Sequence, residues 1–582
     1  MMFFMPTHRS TQNTSVQRAK LALLLLLVIF VFGFALRLFR IDSAPSGAHV
    51  DEIHFGYIAY SLLQTGKDEH GVSWPLIFQG FGDQKLPGYG YALLPVVKTM
   101  GLSVTAIRIP SVFAGSALIL LMYFFLLELT KSKKAGLLAA LIVSTNPWPF
   151  FMSRFGFESN LALFFWVLGL NGLVRIRKHL GWGILAAIAT ALTWYCYIAY
   201  RPISILVLLS YSAILWFQHK DARKNIIRML AVLALLIAPF FTHNLAGSNS
   251  ARLKQVGIFS DVGITATINE NRTFCSNTLP SAACSAIFNK PFAYGQTLAN
   301  RFFGTYSPEY MATIGETDQT FLTLSGFGQF FSPLYPFFLW GLVLLVATTL
   351  FISRTDARAL ILAGLVFSPI PAILAGEPQK VRLTALLPFV IVVIVLGLLG
   401  ASRFLYQTFQ GKLRILAHLV LIGFAVIYLC VNALYFAQYF TVHVDKNGFV
   451  YQSYVRKVMP YLHEKWLEGY TIYIQPNFSD PAMYYAFYTQ MDPSAYQKQA
   501  VLGELEASGF QHTVGLDRFV VTKLELQTVA CEVIKTNTPA IYVSNVEYRQ
   551  LKPIKVITSA NGSLNYLFIY DAQTYAKLFP CN

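Results

Sequence analysis

The chain has 582 residues, of which 55% are hydrophobic and only 13% are charged. A soluble domain usually carries about a quarter charged residues, and a disordered chain combines low hydrophobicity with high charge, so this composition excludes both classes. The 45 Lys and Arg exceed the 28 Asp and Glu, which gives a net charge of +17. Such an excess is typical of nucleic-acid-binding proteins and of membrane proteins with basic cytoplasmic loops, and the positions of the charges decide between these classes.

The sequence contains about eleven segments with the roughly 20 mostly apolar residues that a membrane span needs. The predicted spans are 20–39, 108–129, 134–151, 158–175, 182–200, 202–218, 226–242, 333–352, 357–376, 382–400 and 413–437. The first follows Arg18 and Lys20, as a signal peptide would, but its apolar run is long and no small-x-small cleavage site follows it. We therefore predict a retained anchor, with a cytoplasmic N-terminus over 1–19 and a transmembrane domain over 20–437.

The basic residues alternate between loops in the way that sets membrane orientation. With the N-terminus inside, the inside loops hold Arg9, Arg18, Lys20, Lys131, Lys133, Lys134, Arg175, Arg177, Lys178, Lys220, Arg223, Lys224, Arg228, Arg354, Arg358, Arg403, Lys412 and Arg414. The short outside turns hold only Arg154, Arg201, Lys380 and Arg382. This pattern predicts a multi-pass protein of the plasma membrane with a cytoplasmic N-terminus, and it explains the positive charge without a nucleic-acid partner.

Three segments, 40–107, 243–332 and 438–582, are too polar and too long to be turns, and this orientation places all three outside. The first two are predicted outer loops, and the last is predicted to form a small extracytoplasmic α/β domain. Its predicted elements are a helix over Val455–Gly469 and strands over Tyr470–Gln475, Phe519–Leu524, Ala540–Ser544 and Leu567–Tyr570.

Two cysteine pairs lie in the outside segments, Cys275 with Cys284 and Cys531 with Cys581. Because disulfides persist outside the cytoplasm, each pair can be bridged or free. Closing the loop of about fifty residues between Cys531 and Cys581 would stabilise the fold by about 4 kcal/mol on the chain-entropy argument, which favours that pair. The sequence contains no Cys or His spacing typical of a zinc site.

Two adjacent carboxylates follow the first span, in the stretch from Gly47 to His54 that contains Asp51 and Glu52. An apolar amphipathic helix continues from Phe55, so the two carboxylates are predicted at its N-terminus, where the helix dipole stabilises negative charge. This placement is consistent with simple capping. A carboxylate held ionised near the membrane face is equally suited to act as a general base or as a ligand for a cation.

Lys85 precedes Pro87 and Gly88 at the entry to an aromatic, interfacial helix. A lysine in this place either extends to the membrane interface or binds phosphate, for which an ammonium group is a strong partner. Arg108 then opens the second span in the sequence Arg108-Ile109-Pro110-Ser111.

These three elements fall in the order and spacing seen in glycosyltransferases that use polyprenyl-phosphate sugars and have the GT-C fold. The chain resembles glycosyltransferase family 39 and its relatives, the protein O-mannosyltransferases and aminoarabinose transferases. The family pattern is an acidic pair in the first outer loop, a Lys-Pro-Pro-Leu-like element and then Arg-x-Pro-Ser. Here Leu86 and Gly88 replace the usual Pro and Leu around Pro87.

Other stretches extend the resemblance over most of the chain. They are Asn146-Pro147-Trp148 with Arg154 and Glu158, Glu377 to Arg382 with Pro388, and Asp480-Pro481 to Asp492-Pro493. The family usually has Asp where this chain has Glu158. The resemblance implies a GT-C fold for the transmembrane domain.

The resemblance also implies the reaction. Nucleotide sugars are not supplied outside the cell, so a transferase there needs a donor that is already activated and in the membrane. The implied donor is a polyprenyl- or dolichyl-phosphate-linked sugar, and the acceptor is a hydroxyl group on a protein, a lipid or a glycan. One-step displacement of the lipid phosphate would invert the anomeric centre.

The catalytic roles follow the family motif. Asp51 is the expected general base, with Glu52 beside it in the catalytic pair. Lys85 and Arg382 are the candidates to bind the departing phosphate. Arg201, at the outer end of a span, either extends to the membrane interface or reaches the same phosphate. Arg108 and Glu158 are expected to support the site. A divalent cation held by Asp51 and Glu158 is a further candidate component.

Two other classes of protein fit a chain with many spans. A transporter or flippase for a lipid-linked substrate would show polar residues in mid-span and often repeated halves, and here the acidic pair lies outside the spans. A non-catalytic membrane scaffold would tolerate the loss of Asp51. The sequence leaves open the sugar, the acceptor, the length of the lipid carrier and the oligomeric state.

Overall fold

The computed structural model describes residues 9–81, 83–242, 257–317, 320–464, 467–475, 480–506, 511–559, 562 and 564–578. The chain divides into two compact units. The first unit consists of Met1–Phe39, Val112–Ser153 and Ser159–Tyr435, and the second consists of Arg40–Ser111, Arg154–Glu158 and Phe436–Asn582. The predicted outer loop 40–107 and the C-terminal segment 438–582 therefore fall in the same unit.

The first unit is built almost entirely of helices. Among the described residues, seven helical segments are long and apolar enough to cross a membrane: Gln17–Leu38, Val104–Thr130, Tyr200–Gln218, Lys220–Phe241, Thr355–Leu374, Thr384–Thr408 and Gly411–Lys446. Two shorter apolar helices cover Leu180–Cys196 and Ser332–Ala347. The predicted span 134–151 overlaps the helices Lys133–Thr145 and Pro147–Met152, and the predicted span 158–175 contains the helix Glu158–Leu173. The polytopic helical fold is confirmed, and the count of eleven spans stays a prediction.

Local sequence explains the boundaries of these helices. Lys133–Thr145 begins after Ser132, whose side chain accepts a hydrogen bond from the backbone N–H of Ala135. It ends at Asn146 because Pro147 has no N–H to continue the ladder and instead opens the next short helix.

Two glycines allow the backbones of the helices Tyr335–Ala347 and Leu387–Thr408 to touch. A Cβ atom at Gly341 would lie 1.9 Å from the carbonyl oxygen of Val393, and one at Gly397 would lie 1.8 Å from that of Phe337. Because apolar burial gives little gain between helices in lipid, close packing through small residues is how such helices associate. The two glycines therefore bring the backbones of these two helices into direct contact.

Among its described residues, the second outer segment, which lies in the first unit, contains the α-helices Val262–Cys275, Ser281–Ile287 and Lys290–Gly304. A disulfide joins Cys275 to Cys284 across the turn between the first two. The sequence had left this pair open. Cys581 lies outside the described residues, so the pairing of Cys531 with Cys581 stays a prediction.

The C-terminal part of the second unit contains a seven-stranded mixed sheet in the order β4-β5-β6-β3-β7-β9-β8. Its strands are β3 Thr471–Ile474, β4 Val501–Leu502, β5 Thr513–Leu516, β6 Phe519–Val521, β7 Ala540–Ser544, β8 Lys555–Thr558 and β9 Asn565–Asp571. β3 runs parallel to both β6 and β7, and the other pairs are antiparallel. In the described part of this stretch, the helices beside the sheet are Val455–Leu462, Pro481–Thr489, Pro493–Gln499, Leu526–Thr536 and Ala572–Leu578. The predicted α/β domain is present.

The first outer loop supplies most of the rest of the second unit, which also includes Arg154–Glu158. It contains the helix Val50–Thr65, a hairpin of β1 Phe78–Gly80 and β2 Asp83–Lys85, and the helix Gly88–Met100. Tyr484 donates a hydrogen bond to the carbonyl oxygen of Ala48, and Tyr57 donates one to that of Met491. The first outer loop and the helices of the C-terminal segment therefore pack together as one structure.

Candidate functional site

The helix Val50–Thr65 begins where the sequence predicts and carries both carboxylates in its first turn. His49 is its N-cap: the His49 Nδ1 atom accepts a hydrogen bond from the backbone N–H of Asp51, while Glu52 accepts one from the backbone N–H of His49. This reciprocal pattern is a capping box. It fixes the direction of the two carboxylates relative to the helix axis.

Asp51 forms an ion pair with Lys85. The Lys85 ammonium donates to Asp51 Oδ1 over 2.5 Å. The Asp51 side chain stays 38% exposed, while that of Lys85 is 10% exposed. The ammonium also lies over the rings of Phe81 and Phe55, at 4.7 Å and 5.3 Å from their centroids. Lys85 is thus held against an aromatic surface with its charged end on a carboxylate that solvent and substrate can reach.

Electrostatics keep Asp51 ionised. Desolvation alone would raise its pKa, but the charge of Lys85 and the hydrogen bond and charge of His49 hold the pKa of Asp51 well below its usual range. Desolvation would lower the pKa of His49, yet the bond to Asp51 and the charges of Asp51 and Glu52 raise it. Nδ1 of His49 lies 3.3 Å from Asp51 Oδ2, so neutral His49 caps the helix and protonated His49 pairs with Asp51.

Glu52 has a different environment. Its side chain and that of Arg108 are both 0% exposed and form an ion pair over 3.0 Å. Oε1 also accepts from the backbone N–H of Gly156 at 2.6 Å, and Oε2 accepts from the backbone N–H of His49 and from Arg108 Nη2. Every oxygen of Glu52 is used within the protein.

Arg108 and Arg154 bind the backbone of the turn that precedes the helix. Arg108 donates to the carbonyl oxygens of Ile41, Pro45 and Gly47. Arg154 donates to those of Arg40 and Ala44, and its guanidinium stacks on Phe440 with 5.0 Å to the ring centroid. The two arginines thereby fix the chain between the first span and Asp51.

Glu158 begins the helix Glu158–Leu173. Burial, followed by the charge of Glu52 and a smaller contribution from Glu158, raises the pKa of Tyr89, so Glu158 lies within electrostatic reach of this tyrosine. The Tyr89 hydroxyl donates to the carbonyl oxygen of Ile107. Asp51, Glu52, Lys85, Arg108 and Glu158 therefore all belong to the second unit.

Arg201 and Arg382 belong to the first unit, where a hydrogen bond between Tyr200 and Thr384 joins their two segments over 3.1 Å. The Arg201 guanidinium stacks on Phe240, and its Nε and Nη2 atoms are buried without a hydrogen-bond partner among the described residues. Arg382 donates to the carbonyl oxygen of Ala375. Both side chains keep donor capacity for an anion.

Sequence reasoning missed three buried titratable groups, namely Lys380 and the hydrogen-bonded pair of His54 and Glu69. Lys380 is 1% exposed, donates to the carbonyl oxygen of Leu322, and has its pKa lowered to about 8 by burial. His54 is hydrogen-bonded to Glu69, and both side chains are 1% exposed. Burial lowers the pKa of His54 well below its usual range and raises that of Glu69 to about 7. For the pair of His54 and Glu69, the available signal in the sequence was the dense run of charges from Lys67 to His70.

The donor set near Asp51 does not match a cation site. In the part of the chain that the structure describes, no group of three or more His, Cys, Asp and Glu side chains is placed to hold a metal ion. An ammonium group occupies one oxygen of Asp51, and Glu52 is saturated by an arginine and two backbone N–H groups. The divalent cation at Asp51 and Glu158 stays a prediction.

The arrangement offers a partly exposed, ionised carboxylate beside a lysine ammonium. The carboxylate can accept a proton from a hydroxyl group, and an ammonium carries three donors that can contact an anionic leaving group. The Glu52–Arg108 pair fixes the start of the helix that carries Asp51.

Residues 27–246 match the family model of the dolichyl-phosphate-mannose-protein mannosyltransferases. No curated protein sequence matches the chain significantly.

Solved structures share the fold at low identity. ArnT from Cupriavidus metallidurans in the apo state has a TM-score of 0.52 and 13% identity, covering 97% of this chain and 99% of that chain. The same protein bound to undecaprenyl phosphate has a TM-score of 0.51 and 13% identity, with 94% and 97% covered. The Archaeoglobus fulgidus oligosaccharyltransferase tethered to an acceptor peptide has a TM-score of 0.52 and 14% identity, with 90% and 69% covered.

The family match and the shared fold confirm the prediction of a GT-C glycosyltransferase embedded in a membrane. The similarity to solved structures shows only the fold. The evidence for the class of enzyme is the family match over residues 27–246.

Proposed function

We propose that the protein transfers a sugar from a polyprenyl-phosphate carrier to an acceptor hydroxyl on the extracytoplasmic face, with inversion at the anomeric carbon. The acceptor belongs to a protein, a lipid or a glycan. The lipid-bound state of ArnT and the peptide-bound state of the archaeal oligosaccharyltransferase support a lipid-linked donor and a separate acceptor. The Asp51–Lys85 ion pair is the single observation that carries this proposal.

Asp51 is the proposed general base. The acceptor hydroxyl gives its proton to the Asp51 carboxylate as its oxygen attacks the anomeric carbon, and the bond from that carbon to the phosphate oxygen breaks with its electron pair on the phosphate. General-base catalysis of this kind contributes typically ~10²–10⁴-fold to a rate. Its partial exposure gives Asp51 access to an acceptor that the buried Glu52 does not have.

Lys85 is proposed to link the base to the leaving group. Its ammonium has three N–H donors, and the described residues give it one hydrogen-bond partner, Asp51. A donor phosphate that binds the remaining N–H groups draws positive charge away from Asp51. The pKa of Asp51 then rises toward its usual range, which makes it a stronger base once the donor is bound.

Arg201 and Arg382 are proposed as further phosphate contacts, because a guanidinium binds phosphate oxygens in a bidentate manner. Arg108 and Glu52 are proposed to support the base by fixing the first turn of its helix. Glu158 is proposed to support the same site through its negative charge, which acts on Tyr89.

The orientation is part of the proposal. We infer that the N-terminus is cytoplasmic and that the loops after the first and seventh spans, together with the C-terminal domain, face outward at the plasma membrane. The alternation of basic loops supports this arrangement. Reporter fusions at the C-terminus test it, and a cytoplasmic reporter would reject it.

The transfer assay uses the purified full chain with a panel of radiolabelled undecaprenyl-phosphate sugars and a membrane extract as acceptor. We expect label to move from one donor to an acceptor, and to stay on the carrier with Asp51→Asn. Asp42→Asn is the matched control, since Asp42 lies in the same loop, is half exposed and pairs only loosely with Arg456. No transfer by the wild-type protein from any donor would favour a scaffold or transporter, and equal transfer by the wild-type protein and Asp51→Asn would place the base elsewhere.

A further inference from the structure

The hairpin that carries Lys85 is too small to fix its own position. β1 and β2 have three residues each and pair antiparallel, with Phe78 opposite Lys85 and Gly80 opposite Asp83. An isolated two-stranded hairpin is marginally stable in water. The direction of the Lys85 side chain therefore depends on what the hairpin packs against.

His54 lies directly beneath the end of β1. A Cβ atom at Gly80 would lie 2.2 Å from His54 Cε1, so the backbone of Gly80 rests on the imidazole ring. The ring of Phe81, the next residue, lies 4.9 Å from that of His54 between centroids. His54 is thus the surface on which the hairpin end sits.

Glu69 fixes His54 from the other side. Their hydrogen bond joins His54 Nε2 to Glu69 Oε1, and both side chains are 1% exposed. The other nitrogen of His54 and the other oxygen of Glu69 are buried without a hydrogen-bond partner in the described part of the chain. This hydrogen bond orients the packed ring, and breaking it leaves His54 Nε2 buried without a partner, while among the described residues Glu69 Oε1 keeps only His70 Nε2 at 3.7 Å.

The neighbouring residue ties the same loop to β1. His70 Nε2 contacts the carbonyl oxygen of Gln79 at 2.9 Å. Residues 69 and 70 therefore hold both the support of the hairpin and the hairpin itself.

Lys85 connects this support to the reaction. Its ammonium lies over Phe81, which packs on His54, and over Phe55, which follows His54 in the helix. We infer that His54 and Glu69 are positioning residues that hold the hairpin so that Lys85 points at Asp51, and that they thereby set affinity for the phosphate of the donor. This inference rests on the proposed function.

The first test measures Lys85 without any assay of transfer. The folded full-length protein is treated with an amine-reactive reagent, and labelling of Lys85 is quantified by mass spectrometry relative to Lys98, which is exposed. We expect Glu69→Ala and His54→Ala to raise the labelling of Lys85 severalfold. His443→Gln is the matched control, because His443 is also a buried histidine of the second unit, bonded to Tyr451.

The second test separates positioning from folding. We expect Glu69→Ala to raise the KM for the lipid-linked donor about tenfold, the size of one lost charge-assisted hydrogen bond, while kcat per folded molecule changes less than about threefold. Glu69→Gln keeps a hydrogen-bonding partner for His54 and should restore most of the affinity. A purely structural role would lower the folded amount and leave the KM unchanged.

Gly80→Ala keeps the inference testable if the buried variants do not fold. The added methyl group displaces the hairpin from His54, so this variant should reproduce the rise in Lys85 labelling and in donor KM. In the His54→Ala background the same change should add little, because the ring it collides with is gone.

Unchanged Lys85 labelling and unchanged donor KM in folded Glu69→Ala and Gly80→Ala would overturn the inference. A wild-type protein that transfers no sugar from any polyprenyl-phosphate donor would instead overturn the proposed function, and the labelling result would still decide the role of His54 and Glu69.

Discussion

Asp51 and Glu52 are neighbours in the sequence, yet they belong to two different kinds of environment. The region around Asp51 is partly open: the carboxylate is 38% exposed and is held by the flexible Lys85 and by His49. The region around Glu52 is closed: the carboxylate is 0% exposed and is saturated by Arg108 and two backbone N–H groups. An acidic pair that looks like one motif thus divides into a residue available for chemistry and a residue that maintains the local fold.

The largest effect should come from Asp51→Asn. This change keeps the size of the side chain but removes the base, so transfer should fall by about 10²–10⁴-fold. The melting temperature should change little, because the side chain is partly exposed. Rates of sugar transfer per folded molecule, with Asp42→Asn alongside, measure it, and near wild-type turnover would place the base elsewhere.

Glu52→Gln should act on stability instead. Removing one charge of a buried pair leaves Arg108 uncompensated, which typically costs about 3–5 kcal/mol. We expect low yield and early thermal unfolding, with turnover per folded molecule falling far less than in Asp51→Asn. Glu52→Gln combined with Arg108→Met should be more stable than Glu52→Gln alone, since the double variant has no unpaired charge. A stable Glu52→Gln protein that lacks activity would show that Glu52, like Asp51, takes part in the reaction.

Lys85→Ala should weaken donor use by about 10–100-fold in KM, the usual effect of losing a hydrogen bond to a charged group. It should also move the acid limb of the pH profile of kcat/KM to higher pH. Lys85 holds the pKa of Asp51 low, so the wild-type base stays ionised as the pH falls, and without Lys85 it takes up a proton at a higher pH. An acid limb that does not move would show that Lys85 does not set the pKa of the catalytic base.

His49→Ala should have the smallest effect. It removes an N-cap, which costs about 1 kcal/mol, so the melting temperature should fall by a few degrees. Transfer should stay within about threefold, because Lys85 still pairs with Asp51. A loss of activity as large as that of Asp51→Asn would show that His49 takes part in the proton transfer.

The sequence was sufficient wherever local rules determine the structure. Apolar length predicted the helices, and the apolar run after Glu52 placed both carboxylates in the first turn of Val50–Thr65. In the C-terminal domain, the predicted strand Ala540–Ser544 is β7 with the same bounds. The predicted helix Val455–Gly469 instead ends at Leu462.

Contacts between distant residues were not predictable. Nothing near Glu52 in the sequence indicates that Gly156 donates to it, since the two are 104 residues apart. The short strands β4 and β5 lack a clear alternating pattern and form against neighbours in the sheet. In the sequence, His54 and Glu69 have no feature that indicates burial or pairing. The structure buries both side chains and joins them by a hydrogen bond. The site roles proposed for Lys85, Arg382 and Arg201 stay predictions.

The bond from Tyr484 to Ala48 joins residues 436 positions apart in the chain. A ribosome adding ~5–20 residues per second needs roughly 20 to 90 seconds to cover that distance. Throughout this time the segment with Asp51, Lys85 and their supports has crossed the membrane in the proposed orientation but lacks the helices that cover it. The protein therefore matures late: a growing chain exposes the loop with Asp51 and Lys85 to chaperones and proteases first, and this loop gains its folded contacts only after Tyr484 and the helices around it have followed.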